Sequence, residues 1–127
     1  MHVVLTDREA EFMEVLWDRG PSTVAEVREH LRDDPAYTTV LTILRNLETK
    51  GYVGPTKDGR AHRYAALVER DTARRSALRD LSAKFFKGSA EQLLTHLVSN
   101  QRLSDAQIER IQQLLNEKRK KDPKESK

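Results

Sequence analysis

The chain has 127 residues, no cysteine and a formal net charge of +3, with 34% charged and 37% hydrophobic side chains. That length accommodates one compact domain, or a small domain with an appended oligomerisation segment, and a mean hydropathy of −0.74 is low for a chain that completes its core alone. The absence of cysteine excludes disulfides, thiolate zinc sites and a cysteine nucleophile, and the lack of any long apolar run predicts a cytosolic protein without membrane insertion.

The charge is segregated along the chain. Residues 1–35 carry 4 basic and 9 acidic side chains, residues 36–66 carry 5 and 2, and residues 67–127 carry 14 and 9. A polyanion would be steered toward the middle of the chain and away from its beginning.

Thr6 and Glu9 form a capping box with Asp7 at the positive end of the dipole, and Phe12, Met13, Leu16 and Trp17 follow at helical spacing as core residues. Gly20-Pro21 ends this first helix. Ser22 or Thr23 opens the second, with Thr23-x-x-Glu26 as another capping box and Val24, Val27 and Leu31 as its apolar face. Asp33-Asp34-Pro35 is a turn, and a third helix begins at Tyr37-Thr38. Its apolar face is Val40, Ile43, Leu44 and Leu47, and the opposite stripe is Thr38, Thr42, Arg45 and Thr49. Threonine is a poor surface helix former, so three of them beside an arginine, with no acid among them, suit a face that reads DNA. The bland alternative is a solvated helix face.

Gly51 suits a left-handed helix C-cap, and the segment from Tyr52 to Leu67 has the pattern of a β-hairpin around Asp58-Gly59. A two-residue turn there pairs Lys57 with Arg60 and Val53 with Tyr64, with Pro55 a poor fit to that ladder. Lys57, Arg60, His62 and Arg63 give the hairpin a basic tip suited to phosphate, unless they serve solubility alone. A helix-turn-helix followed by such a hairpin is a winged helix. The predicted DNA-contacting set is Tyr37, Thr38, Thr39, Thr42, Arg45, Asn46 and Lys50 around the third helix, with Arg60, His62 and Arg63 on the wing.

Beyond residue 68 the pattern is helical. Leu78, Leu81 and Phe85 mark a helix over about 71–87, Gly88 ends it, and Ser89 caps a helix with Leu93, Leu94, Leu97 and Val98 on one side. Ser104-x-x-Gln107 caps a last helix bearing Ile108, Ile111, Leu114 and Leu115. These apolar faces exceed what three short helices can bury alone, which predicts a homodimer built on Leu78, Leu81, Phe85, Leu93, Leu94, Leu97, Val98, Ile108, Ile111 and Leu115. The expected organisation is mainly α: a winged helix-turn-helix domain over 1–68, a three-helix dimerisation domain over 69–117 and a charged tail over 118–127. His2, His30, His62 and His96 have no mutual metal-ligand spacing and no adjacent nucleophile or carboxylate pair, so no catalytic, metal or cofactor residues are expected and the chain does not read as an enzyme.

The segments LTDREAEFMEVLW, TVAEVREHL, AYTTVLTILRNLETKGYV and GRAHRYAAL, extended by KFFKGSAEQLLTHLVSN and ERIQQLL, resemble the BlaI/MecI/CopY penicillinase-repressor family of bacterial winged-helix regulators over about residues 4–116. The resemblance implies a homodimeric repressor on a dyad-symmetric operator in double-stranded DNA, controlling a β-lactam-resistance or stress operon. It implies that Thr38, Thr39 and Thr42 enter the major groove and that the Arg60–Tyr64 segment forms the wing. It further implies a regulatory protease linked to a membrane sensor, which in β-lactam members leads to cleavage at an Asn-Phe bond; the aligned bond here, His96-Leu97, departs from that pattern. The cysteine cluster of the copper-responsive branch has no counterpart. Two other readings fit the same residues: a helical protein-interaction module, and a MarR-like regulator that binds a small molecule at its dimer interface.

Overall fold

The computed structural model describes residues 1–56 and 62–121. It forms two compact units, Met1–Leu81 and Ser82–Lys127. The first contains helices α1 (Asp7–Arg19), α2 (Val24–Glu29) and α3 (Tyr37–Thr49), strands β1 (Val53–Pro55) and β2 (Tyr64–Ala66), and most of α4 (Arg70–Phe85).

Local chemistry sets the starts of the first two helices. The Thr6 hydroxyl accepts from the Glu9 N–H and the Glu9 carboxylate accepts from the Thr6 N–H, and Thr23 and Glu26 repeat the arrangement at α2. One core then joins the elements: Phe12, Met13 and Leu16 of α1, Val24 and Val27 of α2, Val40, Leu44 and Leu47 of α3, and Val53 and Tyr64 of the hairpin are all buried. Trp17 sits at the margin of this core, half-buried, with its indole N–H donating to the Val68 carbonyl at 2.9 Å. Gly51 follows α3 at φ +83°, a left-handed conformation that lets the Tyr52 N–H return to the Leu47 carbonyl.

The unit continues past residue 68, the limit expected from the hydrophobic pattern. Ala73 and Ser76 of α4 are buried, the Ser76 hydroxyl accepts from the Val3 N–H at 3.0 Å, and Arg70 binds Glu14 and Asp18 of α1 at 2.8 and 2.5 Å. The second unit consists of the end of α4, α5 (Ala90–Asn100) and α6 (Asp105–Lys121). The expected caps are present at Ser89, which accepts from the Gln92 N–H, and in the Ser104–Gln107 box. Neither α5 nor α6 contains a buried residue.

The hairpin register differs from the expected one by two residues. The strands pair Val53 with Ala66, Gly54 with Ala65 and Pro55 with Tyr64, not Val53 with Tyr64. The cause is Pro55. A two-residue turn at Asp58-Gly59 would place residue 55 in a hydrogen-bonded pair, where its ring nitrogen has no proton to donate. In the observed register the ladder bonds flank it, from Leu67 N–H to the Tyr52 carbonyl and from Thr56 N–H to the Arg63 carbonyl. Tyr64 is thereby free to exchange both backbone bonds with Ser22, at 2.8 and 3.0 Å, which ties the wing to the segment before α2. The expected Asp58-Gly59 turn, the Lys57–Arg60 pair and Arg60 itself lie outside the described residues, as does the end of the charged tail.

Glu9 has a second partner. Its carboxylate is buried, and both oxygens lie 2.8 Å from the Lys50 ammonium at the end of α3. Burial pushes the carboxyl up, but the Lys50 ammonium and the Thr6 backbone N–H together outweigh it, and Glu9 titrates below its ordinary value. Lys50→Met should therefore destabilise the fold by roughly 1–2 kcal/mol, a figure held down by the partial solvation of the ammonium. Glu9→Gln keeps a capping side chain while removing the charge. The unfolded chain takes up the Glu9 proton first as pH falls, so the contribution of this pair is whole above pH 4.5 and fades below it. Melting curves from neutral pH to about pH 3 should show the wild-type Tm falling more steeply in the acid range than that of Glu9→Gln.

Candidate nucleic-acid interface

The outer side of α3 is built by subtraction. Val40, Leu44 and Leu47 are fully buried, and Ile43 and Leu41 are half-buried against the core. What remains exposed is Tyr37, Thr38, Thr39, Thr42, Arg45, Asn46, Glu48, Thr49 and Lys50. The first turn contains no acidic residue, and the N-cap Ala36 makes no side-chain hydrogen bond to it. The partial positive charge of that helix end thus meets no acidic side chain within its own first turn, an arrangement that favours an approaching phosphate. Tyr37 is 50% exposed at this end.

The wing stands beside α3 through Tyr64. Its side chain is buried, and burial raises the pKa of the phenol; the charge of Glu48 adds to the effect and Arg45 opposes it. Arg45 and Glu48 thus face the same wing side chain from α3. His62 is exposed and sets its ring edge-on to Tyr64, with centroids 5.1 Å apart. The Arg63 guanidinium donates to Glu26 at 2.5 Å, and the same carboxylate oxygen closes the α2 capping box. The Thr23 N–H first, and Arg63 with it, hold the Glu26 carboxyl below its ordinary range.

Of the predicted DNA set, Thr38, Thr39, Thr42, Arg45 and Asn46 therefore share one exposed helix surface, and Tyr37 is exposed at the first residue of the helix. Lys50 and Arg63 instead have carboxylate partners within the chain, and Arg60 is outside the described residues. The sequence identifies Glu9 and Glu26 as capping residues but not their ion pairs with Lys50 and Arg63, nor the burial of Tyr64. A signal for the glutamates existed, since a capping-box carboxylate has a second oxygen and lone pairs to offer; the identity of its cation depends on tertiary approach.

All but two of the predicted dimerisation residues are exposed in the single chain. Leu78, Leu81 and Phe85 lie along α4, with Phe85 70% exposed, and Leu94, Leu97, Val98, Ile108, Leu114 and Leu115 are exposed on α5 and α6. Leu93 and Ile111 are half-buried. His96 and Leu97 lie in the interior of α5, where the His96 carbonyl accepts from the Asn100 amide at 2.8 Å and its ring meets Phe86 edge-on at 5.7 Å. Among the described residues no group of three or more His, Asp or Glu side chains could hold a metal ion, and no helix is long and apolar enough to cross a membrane.

Helix-turn-helix, two-stranded wing and the exposed face of α3 between them define a winged-helix protein. Over residues 5–117 the sequence matches the family described as penicillinase repressor, and the chain belongs to that family. It is 42% identical over 98 residues to the transcriptional regulator BlaI of Mycobacterium tuberculosis, spanning 74% of this chain and 71% of that protein. It is 26% identical over 116 residues to the methicillin resistance regulatory protein MecI of Staphylococcus aureus, spanning 90% and 94% respectively. A MarR family protein from Bacillus stearothermophilus superposes with a TM-score of 0.53 at 16% identity, covering 94% of this chain and 76% of that one, a likeness of fold.

The Glu26–Arg63 contact carries its own prediction. Arg63→Gln should speed hydrogen exchange at the Thr56 and Tyr64 amides, which bond to the Arg63 and Ser22 carbonyls, while the α3 core amides of Leu44 and Leu47 keep their protection. Unchanged wing rates in the exchange data would mean that Glu26 does not hold the wing.

Proposed function

We propose that this protein is a homodimeric, sequence-specific repressor of transcription that reads double-stranded DNA with α3. The observation that carries the reading is the α3 surface itself: Thr38, Thr39, Thr42, Arg45 and Asn46 exposed together, at a helix start without acidic residues, in a chain of the penicillinase-repressor family. Recognition helices lead with their N-terminal residues, so Tyr37 to Thr42 meet base edges while Arg45 and Asn46 lie nearer the phosphates. Arg60 and His62 supply wing contacts to the backbone. Lys50 and Arg63 act one step removed, holding α3 and the wing in place through Glu9 and Glu26.

Two heads on one rigid dimer square the discrimination available to one head. The exposed apolar residues of α4, α5 and α6 support that pairing, because an isolated chain would leave them in water. A resistance or stress operon is the proposed target, in keeping with its likeness to a methicillin resistance regulatory protein, with release through a protease linked to a membrane sensor. A cut between His96 and Leu97 would divide α5 in the middle of its apolar face and so separate the two heads.

Selection of duplexes from random sequence with the purified protein should return a dyad-symmetric site, and half-sites without symmetry would defeat the dimer model. On that duplex, affinity should fall with salt by ~0.9 log units per log unit for each neutralised phosphate. Arg45→Ala should weaken binding and reduce the salt slope by about 1, with the fold intact by circular dichroism. Leu97→Glu, measured by light scattering and titration, should yield monomers that have also lost tight binding. A clean monomer with full affinity for the whole site would overturn the dimer mechanism.

A further inference from the structure

The threonines on the outer side of α3 differ in what their hydroxyls do. Thr42 Oγ1 donates to the Thr38 carbonyl at 2.8 Å, and Thr49 Oγ1 donates to the Arg45 carbonyl at 3.0 Å. Among the described residues the hydroxyls of Thr38 and Thr39 have no hydrogen-bond partner. A hydroxyl has one proton. At Thr38 and Thr39 that proton is available to a ligand, whereas at Thr42 it is held by the helix. Such back-bonding to the preceding turn is a stable rotamer for threonine, and staggering then places the γ-methyl in a different well from the oxygen.

Thr42 therefore offers a ligand no donor: it presents its methyl group, with the oxygen left only as an acceptor. In the major groove a methyl has one base-specific counterpart, the C5-methyl of thymine; guanine, adenine and cytosine present only donors and acceptors there. Thr42 stands one turn into α3, on the same side as Thr38 and between the helix start and Arg45, so a groove entered by the N-terminal turn brings a base edge to it. We infer that Thr42 determines specificity for a thymine in each half-site through methyl–methyl contact, while Thr38 and Thr39 supply the hydroxyl donors of the interface. This rests on the reading of α3 as the recognition helix.

The test uses the full-length protein and a duplex it selects from random sequence, with thymines replaced pairwise, one per half-site, by deoxyuridine, which lacks only the C5-methyl. Two variants divide the side chain: Thr42→Ser keeps the hydroxyl without the methyl, and Thr42→Val keeps the methyl without the hydroxyl. Thr42 is exposed, and circular dichroism melts check that both variants fold. At one thymine position, deoxyuridine should weaken wild type and Thr42→Val by about fourfold per half-site, the value of one buried methyl. Thr42→Ser should already be weakened by the same factor and should show no further loss at that position. The inference is overturned if Thr42→Ser binds as wild type while Thr42→Val does not, or if the selected duplex tolerates deoxyuridine everywhere. A protein that selects no duplex at all would overturn the reading of α3 itself.

Discussion

The buried carboxylate of Glu9 completes the N-terminus of α1 with one oxygen and grips the ammonium at the end of α3 with both. A carboxylate taken out of water needs every lone pair answered, and here one backbone N–H and one lysine answer them. The pair pins the far end of α3, whose near end is aimed by the turn at Asp34 (φ +45°) and by the guanidinium of Arg28 on the Pro35 carbonyl at 2.6 Å. Glu26 repeats the device for the wing, capping α2 and holding Arg63. Both elements that would face a ligand are thus indexed to the first two helices by carboxylates that those helices already need for their own starts.

The same pairing shapes the electrostatics. The acidic surplus of residues 1–35 is largely engaged: Arg8 binds Glu11 and Asp33, Arg28 approaches Asp34, and Arg70 bridges Glu14 and Asp18. On α3 the first acidic residue is Glu48, close to Tyr64 and well past the helix start. Negative charge is concentrated on α1 and on the turn before α3, where Asp33 and Asp34 pair with Arg8 and Arg28, and the leading turn of α3 itself carries no acidic side chain. A phosphate backbone would find one orientation favoured over its reverse, by field as well as by shape.

What could be read from the sequence was what depends on near neighbours. The capping boxes at Thr6–Glu9, Thr23–Glu26 and Ser104–Gln107 need three residues each, and the helix faces need one turn, so both were legible in advance. The outer stripe of α3 was legible for the same reason. The wing register was not, because the spacing of Asp58-Gly59 suggests one phase and the missing proton of Pro55 enforces another; only the hydrogen-bond phase of the whole ladder decides between them. Lys50 and Arg63 looked like free cations because their partners lie 41 and 37 residues away. The compact unit runs on past residue 68 for a similar reason, since the start of α4 is held by Val3, Glu14 and Asp18 and not by its own weakly amphipathic sequence.

α5 is eleven residues long and, like α6, buries none of them. Helices of that length have little stability in water on their own, and most of their order comes from packing. The Met1–Leu81 unit has its own core and folds by a unimolecular balance, whereas in the proposed dimer α5 and α6 would acquire theirs through association. Their folding free energy then contains the protein concentration itself. On that proposal a cell that makes little of this protein would hold heads without a clasp, and one that makes more would hold assembled pairs, so the expression level would become a thermodynamic variable of the fold and not only a count of molecules.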